Sequence, residues 1–192
     1  AMARVSGDYT LLEVGLGGRL DATNVIDQPK LCVIAPISID HEAFLGDTLA
    51  KIAFEKAGII KKGVPVVVGP QPKEAMGVIE TVAEKYHAPV IAYGRHWHAC
   101  HAKDRLIFRD EKGLCDLPLP ALPGAHQIAN AGMAIATLRH LDFGQDTLDD
   151  ALTKAYWPAR MQRLASGNLV EAAGSAELWL DGGHNPAAGR NA

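Results

Sequence analysis

Several short segments of this sequence gather residue types that can do chemistry. EVGLGGRLDATN, from Glu13 to Asn24, sets a carboxylate inside an apolar run and follows it with glycines at positions 15, 17 and 18. A carboxylate enclosed in an apolar strand needs a partner, most economically a cation. Glycines at that spacing let the backbone approach a ligand or form a nest for an anion. The segment is not a dinucleotide fingerprint, because Leu20 stands where GxGxxG requires glycine, and neither GxxxxGKS nor GxxxxGKT occurs anywhere in the chain. On residue types alone it is either a functional glycine loop or a structural turn with a salt-bridged Glu13.

SIDHEAFLG, Ser38 to Gly46, delivers Asp40, His41 and Glu42 just after a second apolar run. If the two runs are neighbouring parallel strands, these groups share a sheet edge with Glu13. A neutral imidazole and a carboxylate suit a divalent cation whose other positions are water and phosphate, so these groups and Glu13 together are candidates for a metal site. The plainer alternative is a capping Asp40 beside a surface His41. In AFEKAGII, Lys56 has Ile52 and Ile60 as helical neighbours. A lysine on an apolar face either snorkels or is held for a purpose.

Later in the chain, Asn130 of HQIAN sits on an otherwise apolar helix, where its side chain could read an amide or a base edge. Arg160 of WPAR offers a planar fork suited to phosphate. In DGGHNP, Asp181 ends an apolar strand and His184 follows two glycines, the arrangement of a ligand loop. A helix-packing Asn, a surface Arg and a tight turn are the structural alternatives. HWHACH tempts a metal reading, but in a strand His96, His98 and Cys100 face one side and His101 the other, so a solvated strand is the better reading.

The elements that must position these groups follow from periodicity. TLLEVG (10–15), LCVIAPIS (31–38), VPVVVG (64–69) and PVIAYG (89–94) read as short buried strands. Helical spacing predicts one helix between Thr48 and Ile60, with Thr48 as its cap, and a second from Pro72 to His87. This alternation predicts an α/β fold with a mostly parallel sheet flanked by helices. After Gly94 the period shortens to two, with turn signals at Lys103-Asp104 and Glu111-Lys112-Gly113, which predicts a small antiparallel meander appended to that sheet. An alanine-rich helix from Gly124 to Leu141 follows, then another from Thr147 to near Tyr156. The WPAR turn and the run ELWLDGG then predict the start of a second domain. The expected division is residues 1–156 and 157–192.

Composition narrows the function classes. Of 192 residues 48% are hydrophobic and 21% charged, with a formal net charge of -3, the balance of a globular protein rather than a disordered or collagen-like one. No run of five like charges occurs, which argues against a nucleic-acid or anionic-membrane surface as the main partner. No stretch approaches the roughly 20 apolar residues of a membrane span, and AMARVSGD lacks the features of a signal peptide. A cytoplasmic chain is expected. Cys32, Cys100 and Cys115 are widely spaced and form no CxxC pair, so neither a disulfide framework nor a zinc knuckle is indicated.

Taken together, EVGLGGRLDATN, SIDHEAFLG, FEKAGIIKKGVPVVVG, GAHQIANAGMA, WPAR and LDGGHNP stand in the order and approximate spacing of the folylpolyglutamate synthase and dihydrofolate synthase family, within the Mur ligase superfamily. The chain resembles that family over essentially its whole length. The resemblance implies a central ATP-binding domain followed by the beginning of a Rossmann-like ligase domain. It implies an ATP-dependent ligase that adds L-glutamate to dihydropteroate or folate through an acyl phosphate and works as a monomer when full length. It assigns Glu13 and His41 to Mg2+, a carbamylated Lys56 to the catalytic site, and Asn130 to adenine. Arg160, Asp181 and His184 fall to the phosphate, ribose or γ-phosphate region, His184 with a catalytic role.

Two departures stand out. Ala159 replaces the glycine of the family's usual WPGR turn, so the backbone there must avoid positive φ or bear its cost. The family's lysine-bearing phosphate loop is not among these residues, so the sequence reads as an internal piece, inactive alone. A peptidoglycan Mur ligase and a non-catalytic nucleotide-binding or interaction module stay open as alternatives.

Overall fold

A computed structural model describes residue 4, residues 7–183 and residue 189; His184 lies outside the described residues. Internal contacts divide the chain into two compact units, one of Ala1–Val66 with Pro72–Val90 and one of Val67–Gln71 with Ile91–Ala192.

The first unit holds β1 (Cys32–Ile34), α1 (Glu42–Leu45), α2 (Leu49–Ala57) and α3 (Lys73–Lys85). Thr48 caps α2 as expected, its hydroxyl accepting from the Lys51 amide at 3.3 Å. Ile52, Ala53 and Ala57 of α2 and Ala75, Ile79 and Ala83 of α3 are buried, and the two helices pack together. The alanines in both stripes allow that close approach. β2 (Val66–Val68) and β3 (Val90–Ala92) contribute residues to both units and complete a sheet of order β1-β2-β3. Hydrogen bonds from Val66 N to Pro89 O and from Tyr93 N to Val68 O advance along β2 and β3 in the same direction, the register of a parallel pair. The three valines of β2 are fully buried, which is why that strand reads as a continuous apolar run.

The second unit is built on the predicted meander. β4 (Trp97–Ala102), β5 (Arg105–Asp110) and β6 (Gly113–Pro118) pair antiparallel in sequence order, with turns at Lys103-Asp104 and Glu111-Lys112. Period-two burial places Trp97, Leu106, Phe108 and Leu117 inside, with the Trp97 and Phe108 rings stacked at 6.0 Å. α4 (His126–His140) lies on β4 and β5, and α5 (Gln145–Thr153) contacts β6. Gly132 permits the α4 contact: a Cβ there would lie 2.5 Å from Ala99 Cβ and 2.7 Å from the Trp97 ring. Near the end of α4, Arg139 donates through Nε and Nη2 to the two oxygens of Asp110, both at 2.7 Å, and through Nη1 to Cys115 Sγ at 2.9 Å. Beyond α5 come β7 (Gln162–Leu164), α6 (Asn168–Ala173) and β8 (Leu178–Leu180).

One expectation is corrected here. TLLEVG forms no strand: Leu11 is 88% exposed and Glu13 is exposed as well. A short apolar run becomes a strand only when another strand offers it hydrogen bonds, and none of the described residues pairs with this one. Glu13 is therefore not the enclosed carboxylate that the apolar run suggests. β7 and β8 pair antiparallel. Just beyond the strand ends Gly182 N donates to Ala159 O at 2.8 Å, joining the exit of β8 to the entry of β7. Among the described residues no helix is long and apolar enough to cross a membrane.

Candidate functional site

In the first unit the glycine loop is docked on the carboxyl end of α2. Arg19 N donates to Glu55 O at 2.8 Å, and the Arg19 guanidinium forks onto the Glu55 carboxylate at 2.9 to 3.2 Å. Asn24 Nδ2 donates to Gly58 O at 3.1 Å. Gly17 and Gly18 are buried, and a Cβ on Gly18 would stand 3.0 Å from Glu55 O and 3.1 Å from Lys56 O. The glycines thus serve a close approach of backbone to helix, with Arg19 rather than Glu13 as the salt-bridged residue. Lys56 is half-buried on the same turn of α2.

Asp21 organises the loop from within. Its Oδ2 accepts from Gly15 N at 3.1 Å and Leu16 N at 3.0 Å, and its Oδ1 accepts from Thr23 Oγ1 at 2.6 Å and Thr23 N at 2.8 Å. These bonds, the Thr23 hydroxyl foremost, pull the Asp21 carboxyl down to about 2 from its ordinary 3.8. The folded state then favours the carboxylate, so the Asp21 contribution is complete above about pH 4 and disappears as pH falls through about 2. The stability difference between the native protein and Asp21→Asn, read from urea unfolding at pH 6 and again near pH 2.5, is expected to shrink at the lower pH. A constant difference would contradict this role.

His41 caps α1 in the left-handed conformation, φ 52°, with its amide donating to Asp40 Oδ1 at 2.8 Å and its ring Nε2 3.8 Å from Asp40 Oδ2. The Asp40 carboxylate turned onto the helix start and an imidazole that keeps 45% of its surface exposed both agree with the plainer alternative. Among the described residues no three His, Cys, Asp or Glu side chains gather as a metal-holding group. One carboxylate and one imidazole, as in Glu13 and His41, would leave most positions of a bound Mg2+ to waters and phosphate oxygens, as that ion prefers. The histidines of HWHACH behave as a solvated strand: His96, His98, Cys100 and His101 are exposed, and His96 Nδ1 accepts from Ala92 N at 3.0 Å.

In the second unit Asn130 is half-buried on α4 and donates to Gln127 Oε1 at 3.1 Å. WPAR and DGG meet directly. Asp181 accepts from Met161 N at 2.8 Å and Gly183 N at 2.6 Å. Those amides, with Arg160 nearby, hold its carboxyl below the usual carboxylate range. Arg160 is exposed. Ala159 takes φ 55°, so the alanine bears the left-handed cost. Ala159→Gly is expected to stabilise the protein by about 0.5–1 kcal/mol, the strain relieved less the extra entropy glycine brings to the unfolded chain. A rise in the denaturant midpoint would check it.

Sequence reasoning missed Arg19, Glu55, Gly58 and Asp21 as a docking set. The DAT triplet was a readable signal, since Asp two residues before Thr is a common local turn. Nothing local pointed to Glu55 as the Arg19 partner.

No protein-family model matches the chain. It is 35% identical to a dihydrofolate synthase/folylpolyglutamate synthase of Bacillus subtilis, over 93% of this chain and 42% of that protein. It is 37% identical to the Haemophilus influenzae protein of that description, over 95% and 43%. Among solved structures, an FPGS–AMPPCP–folate complex matches with TM-score 0.81 at 29% identity, covering 94% of this chain and 44% of that one. E. coli FolC in complex with DHPP and ADP matches with TM-score 0.78 at 33% identity, covering 91% and 39%. The α/β sheet with its antiparallel appendage is thus that of the Mur ligase fold. More narrowly, over more than nine tenths of its length the chain is similar to curated dihydrofolate synthase/folylpolyglutamate synthase proteins. It spans less than half the length of the curated relatives it matches.

Proposed function

We propose that the protein carrying this chain is an ATP-dependent ligase that joins L-glutamate to dihydropteroate or folate. In the proposed reaction an acceptor carboxylate oxygen attacks the γ-phosphorus of ATP and the bond to ADP breaks, giving an acyl phosphate. The glutamate amine then attacks the acyl carbon, inorganic phosphate leaves with the C–O bond, and the nitrogen gives up a proton. Positioning and charge neutralisation carry most of such a transfer. The observation that supports this reading is the docking of the glycine loop, which follows Glu13, onto the helical turn that carries Lys56.

In this reading Glu13 and His41 hold Mg2+, whose charge would neutralise phosphate oxygens. A carbamylated Lys56 presents anionic oxygen where an ammonium would repel a cation. Asn130 reads the adenine edge, and Arg160, Asp181 and His184 serve the phosphates and ribose. A division near Tyr156 between an ATP-binding and a ligase domain belongs to the same proposal. So does low turnover by these 192 residues alone, which contain no lysine-bearing phosphate loop.

The test is ADP release by the full-length protein, dependent on a pteroate or folate acceptor and glutamate. Lys56→Ala is expected to lower kcat by about 10²–10³, the usual loss when one preorganised electrostatic group is removed. Added short-chain carboxylate should restore part of it. An unchanged rate in Lys56→Ala would refute the role.

A further inference from the structure

Gln127 is the one buried polar residue among the described residues, and it lies in the first turn of α4 between two groups that it ties together. Its Nε2 stands 3.1 Å from His126 Nε2, and its Oε1 accepts from Asn130 Nδ2 at 3.1 Å. With His126 Nε2 accepting, the proton of the neutral ring sits on Nδ1, which is buried and unpartnered among the described residues. Gly124 makes room for that ring, since a Cβ there would lie 2.6 Å from His126 Cε1. An i, i+3 amide pair on a helix surface is ordinarily a small stabilising contact. This one differs because its anchor is buried and its outer member is not. Asn130 remains half-buried, and its Oδ1 and second amide hydrogen have no partner among the described residues.

A side-chain amide can present its carbonyl or its NH2 to a base, and the two orientations read opposite patterns. The exocyclic group of adenine donates, whereas that of guanine or hypoxanthine accepts. We propose that Gln127 is a positioning residue that fixes the direction of the Asn130 amide, leaving Oδ1 to accept from an exocyclic amine and one N–H to donate to a ring nitrogen, and so sets the preference for adenine over 6-oxopurines. The inference rests on the proposed adenine contact of Asn130.

The experiment is calorimetric titration of the full-length protein, with magnesium, using non-hydrolysable analogues of ATP and GTP. Gln127→Met keeps length and helix propensity but removes both bonds. It is expected to lower the ratio of ATP-analogue to GTP-analogue affinity about tenfold, the worth of one misdirected hydrogen bond. The kcat at saturating ATP should be retained while the KM for ATP rises. Gln127→Glu, which still accepts from Asn130 Nδ2, should keep the ratio near its native value, and melting curves of both variants report folding. If Asn130→Ala lowers the ratio while a folded Gln127→Met leaves it unchanged, the positioning role is overturned and the Asn130 contact stands. If Asn130→Ala changes neither affinity nor ratio, the adenine contact fails and this inference with it.

Discussion

Arg139→Leu is expected to destabilise the protein by about 3 kcal/mol, the lower end of the loss when one member of a buried ion pair is removed, because this pair is largely but not fully buried. Arg139 and Asp110 expose only 14% and 13% of their side chains, and both carboxylate oxygens are engaged by the guanidinium. Removing the arginine leaves a carboxylate that water reaches poorly. It also strips Cys115 Sγ of its donor and the Phe108 face of the cation 5.8 Å above it. Leucine and arginine have nearly equal helix propensity, so α4 itself does not account for the change.

The double variant separates the pair from its packing. Asp110 Oδ1 also accepts from Lys112 N at 2.9 Å, which fixes the β5–β6 turn. Asp110→Asn keeps an acceptor there and drops the charge. Arg139→Leu combined with Asp110→Asn is therefore expected to recover more than half of the loss, because the penalty of the single variant is mostly the stranded charge. Urea unfolding of the four proteins gives the coupling directly. A single-variant loss below about 1 kcal/mol, the scale of an exposed pair, would show that the carboxylate is solvated after all.

That pair was invisible in the sequence, since the two residues stand 29 positions apart and neither neighbourhood marks them. The meander around it was legible. A period-two burial pattern and two turns with positive φ, at Lys103 and Gly113, are local properties that HAKDRLIFRDEKGLC displays openly. The four longer helices, α2 to α5, were legible from apolar spacing and from the Thr48 cap, while the short α1 and α6 were not. TLLEVG shows the limit. Hydropathy says that a segment prefers burial, but not whether a partner strand stands beside it. The candidate site divides along the same line. Motif residues such as Lys56, Asn130 and Asp181 could be named by type, whereas the contacts that orient them, Arg19 on Glu55 and Gln127 on Asn130, depend on how distant or successive turns come together.

The glycine loop yields the second large effect. Gly58 follows α2 with φ -62° and ψ -8°, a conformation that alanine adopts freely, so backbone strain does not explain its glycine. Space does. A Cβ on Gly58 would lie 2.3 Å from Arg19 Cβ and 2.6 Å from Arg19 Cα. The second is a backbone atom, pinned by the Arg19 amide on Glu55 O and by Asn24 on Gly58 O. Relief must come from lifting the loop off the helix. Gly58→Ala is thus expected to cost about 1–3 kcal/mol, the range for overpacking a site that cannot yield. Gly77→Ala makes the matched control: it lies inside α3 with nothing within 4 Å of its added Cβ, and should stabilise by about 0.5–1 kcal/mol through helix propensity alone. The same substitution would then carry opposite signs at two helical glycines. Because the lifted loop is the one that follows Glu13, Gly58→Ala should also depress the proposed magnesium-dependent ADP release of the full-length protein under conditions where it remains folded, while Gly77→Ala leaves that rate unchanged. A Gly58→Ala protein as stable as the native one would mean that the loop rides free of α2.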